Sequence, residues 1–239
     1  MGKMEVYLFK LKFNTPYGLR VGGPKESIDT LTALRMEGYY VIPWSSWKGI
    51  FRRATEILFA SENHFKEHRE EKVDNQKVEE LLKARGFTLE EVMKAKNLES
   101  KSDELQRFIA MLNCPIERLY GSEYFASAVT FSDTLIDAGI NLRTHAVIDR
   151  VTGGVREQHL FKEEIVDVKS VSAKVIVRDG IKEWLETLKF LSQVGTFIGG
   201  GKSRGIGYAA LDLKESEYAK IDSLTGRPKF QPLSDIIKG

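Results

Sequence analysis

The stretch Phe197-Ile198-Gly199-Gly200-Gly201-Lys202-Ser203-Arg204-Gly205-Ile206-Gly207-Tyr208 does most to narrow what this chain can fold into. Five glycines within nine residues exclude a regular helix, because glycine is a poor helix former and opens backbone angles closed to other residues. The chain must turn there, between a helix that Gly195 closes and a strand carrying Ile206, Tyr208, Ala209 and Leu211. Backbone amides at Gly200 and Gly201 can approach a ligand closely, while Lys202, Ser203 and Arg204 supply two cations and a hydroxyl. That is phosphate-binding chemistry. The bland alternative is a turn whose glycines let the helix pack against the strand.

Gly201-Lys202-Ser203 has the form of the end of a nucleotide-binding P-loop, but Thr196 stands where that motif needs its first glycine. A P-loop also runs into a helix, whereas a strand follows here. An ATPase is therefore not expected.

At 239 residues the chain can bury one good core, or two small domains that share a sheet. No apolar run reaches the roughly 18 residues of a membrane span, and the N-terminus has no signal-peptide pattern, so a cytoplasmic protein is expected. One cysteine, Cys114, excludes an internal disulfide and a thiolate-rich zinc site. The net charge of +2 hides an asymmetry. Residues 61–107 hold 12 acidic and 10 basic residues, against 22 and 26 in the remainder. This small basic excess is compatible with a polyanion partner without requiring one.

Tyr7, Phe9, Leu11 and Phe13 alternate as a half-buried strand that ends at Asn14-Thr15-Pro16. Gly22-Gly23-Pro24 opens a polar loop through Ser27-Ile28-Asp29-Thr30, and Glu37-Gly38 marks a hairpin between residues 32–36 and 39–42. From Ser45 the period becomes helical. Trp47, Ile50, Phe51, Ala54, Ile57 and Leu58 share one face, with Ser45 or Ser46 as N-cap and Lys48, Arg52 and Arg53 off that face. Residues 61–107 are dense in charge and helical in period, an inserted lid. Within it Gly86 ends one helix and Thr88-Leu89-Glu90-Glu91 is a capping box for the next. His64 and His68 would share a helix face and, with Cys114, could hold zinc; surface histidines on a charged helix are the alternative.

Residues 127–133 read as a strand. Residues 143–156 then have hairpin character with cationic groups that a core hairpin does not need. Val171, Ala173, Val175 and Val177 alternate as a further strand. Asp179 caps a helix with Ile181, Trp184, Leu185, Leu188 and Leu191 on one face. The order gives an α+β fold: a ferredoxin-like, RRM-like antiparallel sheet with covering helices, the core being residues 1–60 and 108–239. A thumb hairpin, residues 143–166, protrudes from it.

Several ordered segments resemble the RAMP superfamily of CRISPR-associated proteins, and most closely the backbone subunit of type III (Csm/Cmr) effector complexes. They are residues 19–23 with Ser27-Ile28-Asp29, then 42–52 (Ile-Pro-Trp-Ser-Ser-Trp-Lys-Gly-Ile-Phe-Arg) and Leu119-Tyr120-Gly121. Phe131-Ser132-Asp133, residues 148–153 (Ile-Asp-Arg-Val-Thr-Gly), Phe161-Lys162-Glu163-Glu164 and the glycine loop complete the set. Trp44 departs from the family's usual Gly, and Trp47 from its usual Leu.

The resemblance implies a subunit that stacks on copies of itself or other RAMP subunits along a CRISPR guide RNA, beside a large polymerase-like subunit. Arg20, Ser46, Lys48, Arg52, Gly200, Gly201, Lys202, Ser203 and Arg204 would meet RNA. Arg143, Asp149, Arg150 and Thr152 would lie on the thumb that wedges into the guide–target duplex. Asp29 would cleave the complementary target RNA, as a general base or by holding Mg²⁺ or another divalent cation. A binding subunit without chemistry and a guide-processing endoribonuclease using His145 or His159 are the competing functions.

Overall fold

The computed structural model describes residues 5–27, 30–61, 64, 75–84, 86–95, 102–221 and 227–237. Strands β1 (Val6–Asn14), β2 (Gly22–Ser27), β3 (Thr30–Ala33), β4 (Arg35–Met36) and β5 (Tyr39–Ile42) lead into helix α1 (Trp44–Phe59). Then come α2 (Asn75–Ala84), α3 (Leu89–Ala95), α4 (Ser102–Asn113) and α5 (Pro115–Tyr120). Strands β6 (Val129–Phe131), β7 (Thr134–Ile136), β8 (Ile140–Ile148), β9 (Val155–Val166) and β10 (Ser170–Val177) precede helix α6 (Ile181–Gln193). The chain closes with β11 (Thr196–Phe197), β12 (Tyr208–Ile221) and β13 (Gln231–Pro232).

The fold is mixed α+β, organised on an antiparallel sheet in the order β11-β12-β1-β10-β6. The period-2 pattern of β1 sends Phe9, Leu11 and Phe13 to one face, where Val171, Ala173, Val175 and Val177 of β10 join them. Helices α1 and α6 cover that face. Phe51 stacks on Trp184 at 4.9 Å, and Phe13 and Phe131 lie 6.0 and 5.2 Å from Phe51, so aromatic rings fill the layer between sheet and helices. The opposite face carries Lys10 paired with Glu217 at 3.0 Å, Lys12 paired with Glu215, and Lys174. Lys10 also lies over the Phe230 ring.

Two smaller sheets flank the main one. The β8–β9 hairpin carries β3 in parallel on its β9 side, and β2 pairs with β3; β4, β5 and β7 form the other sheet. The segment from Gly22 to Ser27, expected as loop, is therefore a strand, because β9 offers an edge on which its partner β3 pairs. The hairpin at Glu37-Gly38 is as expected, both residues having positive φ, at 50° and 87°.

Helix α1 departs from its expected detail. It starts at Trp44 after Pro43, without a side-chain cap, in place of a Ser45 or Ser46 N-cap. Thr55 joins Trp47, Phe51 and Ala54 on the buried face, whereas Ile57 and Leu58 are exposed. The Thr55 hydroxyl donates to Phe51 O and lies 2.8 Å from both Tyr120 Oη and Thr187 Oγ1, so a polar node joins α1, α5 and α6. Asp179 does not cap α6; it bonds the amide of Gly180, which enters the helix at φ 70°. In the lid, the capping box forms as written: Thr88 N donates to Glu91 Oε2 and Glu91 N to Thr88 Oγ1. Leu82, Phe108, Ile109 and Leu112 make a second small core, and α4 crosses the expected boundary at residue 107.

The registers place one end of the main sheet. Asn14 at the end of β1 lies opposite Ser170 and Ala210, near the starts of β10 and β12. At β6, Trp44 N donates to Asp133 Oδ1 at 2.7 Å, which docks the start of α1 just beyond that strand. The glycine loop, the base of the β8–β9 hairpin and the first turn of α1 therefore gather at this end.

Candidate nucleic-acid interface

The glycine loop owes most of its composition to the chain beneath it. Arg20 pairs with Gly199 as a parallel bridge, and Gly200 N donates to Arg20 O at 2.8 Å. A Cβ at Gly199 would lie 2.0 Å from Arg20 O, and one at Gly207 would lie 2.1 Å from Ile198 O. Gly200 leaves room for the Arg20 guanidinium, 2.5 Å from where its Cβ would be. Packing explains these three glycines. Gly201 and Gly205 instead flank a single 3₁₀ turn, Lys202–Arg204, each with φ 75°. Lys202, Ser203 and Arg204 on that turn are exposed.

The expected RNA-contacting cations then divide into two sets. Arg20 Nε donates to Glu163 Oε1 at 2.6 Å, and Arg204 Nη2 lies 3.1 Å from both oxygens of the same carboxylate. Arg52 donates through Nε to Glu56 and through Nη2 to buried Glu117 at 2.7 Å, joining α1 to α5. Neither Lys48 nor Lys202 forms an ion pair among the described residues. Lys48, at the start of the second turn of α1, lines an open hollow with Trp44, Ser127, Val129, Thr130 and Phe131, and Ser46 stands half-buried in the first turn.

The expected thumb, residues 143–166, falls within the β8–β9 hairpin, which starts three residues earlier at Ile140. Arg143 faces Glu163 across the ladder, and the His145 ring stacks on Phe161 with Nε2 2.9 Å from Glu163 Oε2. At the tip Asp149 makes the turn: its Oδ1 accepts from Val151 N at 2.8 Å and Thr152 N at 3.0 Å. Those two amides hold the Asp149 carboxyl below its ordinary value. Arg150 and Val151 are exposed beside it, Val151 almost completely at 94%. Thr152 Oγ1 accepts from Gly154 N.

Asp29 and His68 lie outside the described residues, as does the His159 side chain. His64 is buried, with Nε2 3.6 Å from Glu117 Oε1, and burial pushes the Cys114 thiol above its ordinary value. Among the described residues no three His, Cys, Asp or Glu side chains gather as metal ligands.

A helix-covered antiparallel sheet, with a glycine loop and a charged hairpin at one end, is consistent with the RAMP superfamily, whose sequence profile matches residues 10–210. The chain belongs to the RAMP superfamily. No curated protein matches it individually. RAMP proteins are generally CRISPR-associated, bind CRISPR RNA and form complexes with other Cas subunits. No helix of this RAMP protein, among its described residues, is long and apolar enough to cross a membrane.

Sequence reasoning missed Glu163 and Glu117 as the partners of the expected RNA-binding arginines. Two adjacent acids in the strand pattern Phe161-Lys162-Glu163-Glu164 were the available signal, since alternation turns one of any such pair inward. Two outcomes follow for the RAMP chain. Gly199→Ala, with its clash against Arg20 O, lowers unfolding stability in urea by about 3 kcal/mol or more, whereas Gly205→Ala, strained only in φ, costs about 1–2 kcal/mol. The Asp149 carboxyl is depressed in the folded state, so its contribution is complete above the ordinary value of 3.8 and is lost as pH falls through the lower folded value. NMR amide exchange at Val151 and Thr152 should quicken, relative to core amides, as pH drops below that ordinary value. Asp149→Ala should show loosened amides already at neutral pH.

Proposed function

We propose that this RAMP protein is the guide-RNA-binding backbone subunit of a type III CRISPR ribonucleoprotein and cleaves guide-paired target RNA through Asp29. The observation that carries the reading is the gathering of the glycine loop, the first turn of α1 and the thumb base at one end of the main sheet. The order β12-β1-β10-β6, with helices following β1 and β10, supports a ferredoxin-like core. The open face of that sheet carries lysines paired with glutamates on β1 and β12 and presents no ring from β1 or β10 on which a base could stack. RNA therefore runs across the end of the sheet. Lys48 and Lys202 meet phosphates as mobile point charges, and the exposed apolar tip of the thumb enters the duplex. Because a backbone subunit accepts any guide, these contacts are electrostatic and indifferent to sequence.

In sequence Asp29 immediately precedes Thr30, the first residue of β3, the strand that pairs with β9. In this reading its carboxylate accepts the proton of a 2′-hydroxyl that the thumb has brought in line with the adjacent phosphorus; the new O2′–P bond replaces the P–O5′ bond, giving a 2′,3′-cyclic phosphate, and water protonates the departing 5′-oxygen. A divalent cation would supply charge neutralisation at that phosphate. His145 has a structural part in this reading, stacked on Phe161 and turned to Glu163.

The test combines binding with cleavage. Lys48→Ala with Lys202→Ala should weaken single-stranded RNAs of unrelated sequence alike and reduce the salt slope by about 1.4, at about 0.7 per lost phosphate contact. Loss confined to one sequence overturns the binding role. In a reconstituted complex, Asp29→Ala should assemble and bind guide RNA yet no longer cut target RNA. Wild-type cutting by that variant overturns the catalytic role and leaves a binding subunit.

A further inference from the structure

Strand alternation turns Glu163 and Glu164 to opposite sides of β9, and both are buried, at 0% and 8% exposure. An unpaired buried carboxylate is costly, so each must have fixed partners. Glu164 accepts from Ala33 N of the adjacent β3 and from Arg35 Nη2 of β4 in a separate sheet, which ties β9 to both. Glu163 gathers groups from three separate parts of the chain: Arg20 before β2, His145 on β8 and Arg204 on the glycine loop. Their side chains differ in access to solvent, at 14%, 21% and 39% exposed. Arg204 is the outermost, and it spends one nitrogen, Nη2, on both carboxylate oxygens. Its guanidinium also lies over Phe161, 5.7 Å from the ring centroid. Arg204, one of two exposed cations of the glycine loop, is thus aimed by two side chains of β9, with Nε and Nη1 free of a partner among the described residues and open to a second anion.

We propose that Glu163 is a positioning residue that couples the glycine loop to the thumb. Through Arg204, a phosphate bound at the loop orders the base of the β8–β9 hairpin, and an ordered hairpin in turn presents Arg204 to the phosphate. The proposal rests on the reading that the loop meets RNA phosphates. Reciprocity follows from linkage: whatever the hairpin contributes to loop affinity, loop occupancy returns to the hairpin. Arg20 keeps the carboxylate paired while Arg204 bridges, so no buried charge is stranded.

The experiment is amide hydrogen exchange on the full chain, alone and with a mixed-sequence single-stranded RNA. Exchange is measured for the wild type, Arg204→Ala, Glu163→Gln and the double variant. Without RNA, each single variant should speed exchange at residues 140–148 and 160–166 relative to β1 and β10, and the double variant should add nothing further. With RNA, the wild-type hairpin should slow about tenfold, within the usual range for coupled sites, while both single variants show no slowing although they still bind. Arg204→Ala should also lose about 0.7 from the salt slope of RNA binding, and Glu163→Gln should keep the slope at reduced affinity. Hairpin exchange unchanged in Arg204→Ala, or additive effects in the double variant, overturns the coupling. If the wild type binds no RNA, the functional reading fails, while the RNA-free comparison still decides whether Glu163 joins loop to hairpin. Because Arg204 is exposed and Glu163 is not, unfolding confined to Glu163→Gln leaves the Arg204→Ala result to decide.

Discussion

A carboxylate with no exposure to water, Glu163, holds the glycine loop, the β8–β9 hairpin and the segment after β1 together. It lies on the thumb strand, yet its partners come from the segment after β1, from β8 and from the glycine loop. Removing such a charge from solvent is tolerable only when its partners are fixed in place, so the three segments cannot drift independently. The close approach of Gly199 to Arg20 is a second expression of the same constraint. Arg20 bonds the loop through its backbone and Glu163 through its side chain.

This arrangement divides cations that look alike in the sequence. Arg20, Arg52 and Arg204 are planar donors with several N–H groups, suited to fixed carboxylates, and each is found on one. Lys48, beside the edge strand β6, and Lys202, on the glycine loop, are flexible point charges, suited to a phosphate backbone whose sequence varies. The arginines fasten parts of the fold to one another, and in the proposed function the lysines would meet the polyanion; Arg204, exposed and bridging, would take part in both.

Much of the fold was legible. Alternation marked β1 and β10, the apolar residues after the glycine loop marked β12, period marked α1 and α6, and Thr88 with Glu91 announced a helix start within four residues. These signals are local, and local chemistry decides them. What stayed hidden depended on distance along the chain. Arg20 and Glu163 are 143 residues apart, Arg52 and Glu117 are 65, and no spacing rule joins them. The burial of Thr55 was hidden for the same reason, because its partners Tyr120 and Thr187 arrive from other helices. The glycine loop stood out as a turn, but packing against Arg20 and exposure to a phosphate call for the same residues, and only the structure separates Gly199 from Gly205.

Photo-crosslinking with single-stranded RNA carrying 4-thiouridine at random positions, followed by peptide mapping, tests the central claim most directly. The account predicts crosslinks in the first turn of α1, the thumb and residues 200–205, at the end of the sheet. Crosslinks concentrated on the open face, around Lys10, Lys12 and Lys174, would contradict it.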